Sequence, residues 1–215
     1  MTHLLQTALK IENVLYEYRL GISTRGLYAY TSRDWSHEEH IYYGTSPFRG
    51  IFQILDSLAL KQSDVIVDLG CGKGRVLCCA ALYDVERVFG IEDTDELCRV
   101  ARSNLRRLRQ RRSPAMVIHG KAEDFDYTQG TVFYMFHPFG PNTLRAVVSH
   151  IGRALQQRLR LIRIVYVNPK HDSVLEEVDW LERYAQWPAG DPSSRFVTYP
   201  VSFWRLHGSV EVPVG

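Results

Sequence analysis

The sequence predicts an α/β fold: a mostly parallel seven-stranded sheet with helices on both faces, an antiparallel C-terminal hairpin and an N-terminal helical cap. Three observations carry this. From Val65 onward, short β-branched runs alternate with amphipathic helical patterns. The first run passes through Gly70, Gly72 and Gly74 straight into a helix. The final forty-odd residues hold two strand patterns around a turn. Repeated strand–helix units supply the crossovers that parallel strands need, whereas two strands joined by a turn form an antiparallel edge. Residues 1–60 are read as the cap and 61–215 as the core of the same domain.

The elements follow in order. Leu4, Ala8, Ile11, Leu15 and Tyr18 recur at spacings of three and four and form one apolar stripe on a first helix, which Gly21 and Gly26 break. Tyr28 to Gly50 is aromatic and polar, with Trp35, His37, His40, Tyr42 and Tyr43, and reads as a loop or a pair of short helices. Phe48, Ile51, Phe52, Leu55 and Leu58 predict a second helix ending near Leu60. Val65–Leu69 is a buried-strand pattern, followed by an apolar helix to about Tyr83. Arg87–Ile91 is the second strand. Asp95–Arg111 is a helix with Leu97, Val100, Ala101, Leu105 and Leu108 on one side. Ala115–His119 and Thr131–Phe136 are the third and fourth strands. Asn142 is a suitable cap for a helix bearing Leu144, Val147, Val148, Ile151 and Leu155. Leu161–Val167 is the fifth strand. Trp180–Trp187 and Phe196–Leu206 are the last two, around a turn at Ala189–Ser193.

Composition narrows the class. The chain has 215 residues, 45% hydrophobic and 23% charged, enough for one α/β domain with a substantial core and unlike a disordered chain. Its longest apolar run, Val76–Tyr83, is far short of the roughly 18 residues of a membrane span. The N-terminus lacks a basic region followed by an unbroken apolar core, so neither a signal peptide nor a membrane partner is expected. The net charge of +2 is neutral on nucleic acid. Cys71, Cys78, Cys79 and Cys98 form no C-x-x-C pair and do not cluster with histidines at zinc spacing. Reduced thiols in a cytoplasmic protein, without a metal, are the simplest reading.

The central motif is Val67-Asp-Leu-Gly-Cys-Gly-Lys-Gly74. Glycines at a strand–helix junction let backbone approach a ligand, and the helix start offers free N–H groups. A dinucleotide fingerprint would need glycine where Arg75 stands. A phosphate-binding P-loop would need a hydroxyl residue after Lys73, where Gly74 stands, and an opening glycine where Val67 stands. Neither fits. The segment instead resembles the first motif of the class I (Rossmann-like) S-adenosylmethionine (SAM)-dependent methyltransferases, an acidic residue ending the strand and then G-x-G-x-G. The resemblance covers roughly residues 61–170. It implies SAM as cofactor and S-adenosylhomocysteine as product. Asp68 would lie beneath the loop, and Gly70, Cys71 and Gly72 would pass the methionine and ribose. Glu92, 20 residues after Gly72, would accept from both ribose hydroxyls, with Asp93 beside it. In Gly120-Lys-Ala-Glu-Asp124, Ala122 would contact adenine through its backbone, and Glu123 or Asp124 would accept from its amino group.

The fourth strand ends in Phe133-Tyr-Met-Phe-His-Pro-Phe-Gly140. Ligands of open parallel sheets sit at the carboxyl ends of the strands, which places this segment beside the transferable methyl, with Phe136 on the cofactor. It is similar to the (D/N)-P-P-(Y/F) motif of methyltransferases that modify planar amines. His137 replaces the acidic or amide residue, and a neutral imidazole accepts only one hydrogen bond, which disfavours a planar-amine target. His137 is the first candidate base, with Tyr43 and His171 as weaker ones; its alternative is a supporting role, hydrogen-bonded to backbone. His137, Phe139 and His171 are the candidate substrate contacts, although Val167–His171 could equally only turn the chain.

Tyr42-Tyr-Gly-Thr-Ser-Pro-Phe48 resembles a segment that covers the cofactor in histone lysine methyltransferases built on this fold. Tyr43, Thr45 and Ser46 would then close over the methionine end; the alternative is a Ser/Thr-Pro helix start with aromatic packing. The aromatic and histidine content of Tyr28–Tyr43 also suits a substrate lid. Seven arginines lie between Arg99 and Arg112, but the chain prefers arginine throughout, 21 against five lysines, and a helix packed on a sheet must place them in solvent. Nucleic acid is therefore disfavoured. The sequence points to methyl transfer by in-line displacement onto an oxygen or nitrogen of a small-molecule acceptor, because no separate recognition domain is visible. The rivals are a protein or peptide lysine-type N-methyltransferase and a non-catalytic SAM-binding protein.

Overall fold

The computed structural model describes residues 3–26, 45–189 and 196–208. Helices α1 (His3–Leu20) and α2 (Phe48–Ser57) precede β1 (Val65–Leu69), α3 (Arg75–Ala80), β2 (Arg87–Glu92), α4 (Asp95–Arg107) and β3 (Ala115–His119). Two single 3-10 turns lead into β4 (Val132–Phe136), α5 (Pro141–Gln157), β5 (Arg163–Val167), α6 (Ser173–Glu176), β6 (Leu181–Trp187) and β7 (Val201–Leu206). The strands form one sheet in the order β3-β2-β1-β4-β5-β7-β6. Only β7 is reversed, antiparallel to β5 and to β6. This is the predicted Rossmann-like sheet. The chain moves outward from β1 to β3 and returns at β4, so the order switches between β1 and β4, the position at whose carboxyl edge open sheets of this kind hold their ligands.

Both faces of the sheet are covered, which is why β1 and β4 read as nearly continuous apolar runs. One face packs under α2 and α3, with Ile51, Ile54, Leu55, Leu77 and Cys78 against Ile66, Val132 and Val165. The other packs under α5 and α6, with Leu144, Val148, Ile151 and Leu175 against Val67, Phe133 and Ile164. All four cysteines are buried and free, and burial pushes the Cys71 and Cys79 thiols well up. Among the described residues no helix is long and apolar enough to cross a membrane.

Several boundaries differ from those read in the sequence. Helix α4 stops at Arg107 instead of Arg111, because the chain turns through Gln110 at φ 61° and the Arg109 N–H donates to the Leu20 carbonyl (2.9 Å). Helix α5 is entered from Gly140 with Pro141 in its first turn, so Asn142 is not the cap. Strand β7 begins after Pro200, which has no N–H for the ladder, instead of at Phe196. Part of the turn read at Ala189–Ser193 lies outside the described residues.

The largest correction concerns α1. Its apolar stripe is not the face that packs: Ile11, Leu15 and Tyr18 are exposed, and the Leu4 and Ala8 side chains lie outside the description. The helix is held through Leu9, Leu20 and Tyr16, whose ring stacks on Phe48 at 5.3 Å. Asn13 and Glu17 supply the polar contacts on that side: the Asn13 amide oxygen accepts from the Phe48 N–H (3.0 Å) at the start of α2.

Candidate functional site

The glycine loop leaves β1 and folds over the end of β2. The N–H groups of Gly70 and Cys71 both donate to the Ile91 carbonyl, at 3.0 and 2.9 Å. Gly70 sits at φ 72°, in the left-handed region, and a Cβ there would lie 2.5 Å from the Cβ of Pro138 beyond β4. The loop thus touches the fourth-strand segment directly. Gly70→Ala is expected to lower the melting temperature by at least about 3 °C, since left-handed backbone alone costs a side chain about 1–2 kcal/mol and a chain of this size loses roughly 2–4 °C per kcal/mol. Gly120→Ala, where an added Cβ meets nothing within 4 Å, is the matched control and should melt with the wild type. Equal melting of Gly70→Ala and wild type would refute the packing described here.

Asp68 lies buried beneath the loop, its Oδ2 accepting from the Leu77 N–H (3.0 Å) in the first turn of α3. Burial pushes its carboxyl up to about 8, with the Glu92 charge adding to the rise. Glu92 ends β2. Its Oε2 accepts from the Gly72 N–H (2.9 Å) and its Oε1 from the Thr94 N–H (3.0 Å). Burial raises this carboxyl to about 7, although both N–H donors pull it down. Each carboxylate oxygen keeps a further lone pair. Asp93 is exposed, accepts from the Thr94 hydroxyl (3.1 Å) and pairs its carbonyl with His119 Nε2 (3.0 Å). The Lys73 ammonium donates to the carbonyls of Arg25 and Gly26, at 2.8 and 3.2 Å. The loop's one lysine is held by carbonyls and not turned to a phosphate, and the lone pairs left on Glu92 suit a ligand that brings hydroxyls, as the ribose of SAM does.

The third-strand turn joins the same edge, since the Gly120 N–H donates to the Glu92 carbonyl (3.0 Å). Ala122 is buried, its carbonyl accepting from the Tyr127 hydroxyl (2.8 Å), and half-buried Glu123 accepts from the Thr143 hydroxyl (3.5 Å). Phe136 is half-buried, with Tyr199 edge-on at 5.0 Å, and Phe139 is buried.

His137 and Asn168 follow the adjacent strands β4 and β5, and both hold positive φ, at 39° and 54°. Such backbone is uncommon outside glycine and clusters at functional edges. His137 Nδ1 lies 3.2 Å from the Tyr166 hydroxyl, which also accepts from the His171 N–H (3.4 Å). The two imidazole rings are 5.2 Å apart. Burial lowers His137 to about 4, with His171 and Lys170 adding to the effect, so the ring is neutral at physiological pH. The structure brings Asp68, Gly70, Cys71, Gly72, Glu92, Ala122, Glu123, His137 and His171 to one edge of the sheet. Thr45 donates weakly to the Ser46 carbonyl (3.4 Å). Ser46 itself is buried and reaches α3 through its carbonyl, which accepts from Arg75 (3.0 Å). Tyr43 and the aromatic stretch from Tyr28 lie outside the described residues.

Three residues at or behind this edge were missed by sequence reading. Tyr166 lies inside the run read as the fifth strand and carries no separate signal there. Glu17 and Arg75 form a buried ion pair (3.2 Å), exposed to only 3% and 4%, that joins α1 to the start of α3. Their separation of 58 residues carries no local signal.

The model of the family "Histone methylation protein DOT1" matches residues 22–131. A protein-lysine N-methyltransferase from Saccharolobus islandicus (strain REY15A) is 30% identical over 102 residues, 47% of this chain and 63% of that protein, so the match spans less than two thirds of the relative. An RNA methyltransferase from Salinibacter ruber, solved with S-adenosylhomocysteine, superposes with a TM-score of 0.56 at 17% identity, covering 80% of this chain and 99% of that one. A tRNA methyltransferase from B. subtilis gives 0.54 at 12% identity, over 73% and 65%. At such identities these two establish the fold. The expectation of a small-molecule acceptor with nucleic acid disfavoured is overturned, because the protein-lysine relative and these two RNA and tRNA methyltransferases are named for protein or RNA. A missing recognition domain did not imply a small acceptor.

Proposed function

Because this chain belongs to the family of the histone methylation protein DOT1, within the class I SAM-dependent methyltransferases, we propose that it methylates the ε-amino group of a protein lysine. The family match carries the reading, since residues 22–131 contain the glycine loop, Glu92 and the third-strand turn. The protein-lysine N-methyltransferase relative supports the acceptor. SAM supplies an electrophilic methyl on a sulfonium with its own leaving group. The chain's task is therefore alignment. Glu92 would accept from the ribose hydroxyls through its spare lone pairs. Asp68 holds the loop to α3. Ala122 and Glu123 would hold the adenine, and Ser46 and Thr45 the methionine end.

His137 orients the acceptor in this reading and does not take its proton. A group titrating at about 4 cannot hold a proton from an ammonium of ordinary pKa about 10.4. The Tyr166 hydroxyl accepts from the His171 N–H and satisfies its own proton on His137 Nδ1, which leaves the ring proton on Nε2. The amine loses its proton to water as it enters the half-buried edge. At saturating SAM, kcat/KM for a lysine-rich protein should rise tenfold per pH unit from 7 to about 9, in the wild type and in His137→Gln alike. Mass spectrometry should place the methyl on lysine Nε. An inflection near pH 6 to 7 present in the wild type and absent from His137→Gln would make His137 the base and overturn this assignment.

A further inference from the structure

Helix α1 carries an apolar stripe that the fold does not use. Ile11, Val14, Leu15 and Tyr18 stand at the i, i+3, i+4, i+7 positions of one face, with 58%, 40%, 62% and 80% of their surface exposed. They are four of the eight exposed large apolar side chains among the described residues. Scattered exposed apolar residues are ordinary, whereas a contiguous helical stripe marks a contact surface.

The chemistry beside the stripe limits its partner. The chain after α4 packs against the C-terminal end of α1: the Arg109 N–H donates to the Leu20 carbonyl (2.9 Å), and its guanidinium reaches the Tyr18 carbonyl (3.5 Å). Arg19, on α1 itself, and Arg109 are exposed and form no ion pair among the described residues. The acids of α1 are already paired, Glu12 with Arg49, and Glu17 with Arg25 and Arg75. A second copy of the chain would therefore bring arginines and no free carboxylate from its own α1. Nucleic acid would meet the arginines but leave the apolar stripe without a partner. We propose that the outer face of α1, bordered by these arginines, is a docking surface for an acidic amphipathic segment of a protein partner. The inference stands independently of the acceptor assignment.

The test uses the full chain and a designed fluorescent helical peptide, with leucines at i, i+3, i+4, i+7 and glutamates elsewhere, read by anisotropy. Saturable binding is expected. It should weaken at least tenfold in Leu15→Ser/Tyr18→Ser and severalfold in Arg19→Ala/Arg109→Ala, with SAM affinity unchanged in both and the melting temperature of Leu15→Ser/Tyr18→Ser unchanged. No binding, or equal binding of a peptide with serine in place of leucine, would overturn the proposal. So would self-association of the free chain that Leu15→Ser abolishes, which would assign the face to a second copy. A large fall in melting temperature of the isolated Leu15→Ser/Tyr18→Ser chain would also overturn it, because the chain's own residues would then cover the stripe.

Discussion

Glu92→Ala is expected to weaken SAM binding roughly 30- to 150-fold, measured by calorimetry. The substitution removes the acceptor of the Gly72 and Thr94 N–H groups together with the partner of the ribose hydroxyls. Leaving such groups unpaired costs about 2–3 kcal/mol. The effect should depend on pH, because only the ionised carboxylate can accept from both hydroxyls. With Glu92 raised to about 7 and Asp68 to about 8 by burial, wild-type affinity should tighten as pH rises from 6 to 8. The folded state holds these protons more tightly than an unfolded chain does, so stability of the free protein moves the other way. It is penalised progressively from the ordinary carboxylate range near 4 up to about 8, as the buried groups are forced to ionise. Unchanged affinity in Glu92→Ala would remove Glu92 from the site.

Arg75→Ala should destabilise the chain by about 3–5 kcal/mol, a fall of roughly 10 °C in melting temperature. The Arg75 guanidinium donates to the Thr24 hydroxyl (2.6 Å), the Ser46 carbonyl (3.0 Å) and Glu17 (3.2 Å), and lies 4.5 Å over the Phe48 ring. Glu17 also accepts from the Thr24 N–H and hydroxyl, at 2.7 and 2.8 Å. Burial alone would raise Glu17, but these donors and the two arginines hold it below the usual carboxylate range. Without Arg75 an uncompensated carboxylate is left inside. Replacing both partners by apolar residues, as in Glu17→Leu/Arg75→Met, should recover more than half of the loss. A single variant as stable as the wild type, or a double variant no better than the single, would contradict this account.

What was legible depended on whether the signal was local. Strands β1 and β4 stood out because a strand buried on both faces needs a nearly unbroken apolar run, whereas the fifth strand was read two residues too long because exposed Leu161 extended its apolar pattern. The glycine loop read correctly because left-handed backbone at Gly70, Gly72 and Gly74 leaves few other residue choices. Helix α1 was found by its period, but the period did not say which face packs. Tyr16, Asn13 and Glu17 outcompete the apolar stripe because they meet Phe48 and Arg75, residues distant in sequence. The Glu17–Arg75 pair and the Tyr166–His137 contact are tertiary in the same sense. The acceptor was misread for a different reason. A site formed by strand ends says little about how large a substrate it serves, and the missing recognition domain was given weight that it did not have.

The most direct test of the central claim puts a lysine-rich protein and total tRNA in one reaction with methyl-tritiated SAM, using the wild type and Glu92→Ala in parallel. Label is expected in the protein fraction on lysine, reduced in proportion to the lost SAM affinity when Glu92→Ala is run at subsaturating cofactor. Label in the RNA fraction, or equal labelling of protein by Glu92→Ala under those conditions, would contradict that claim.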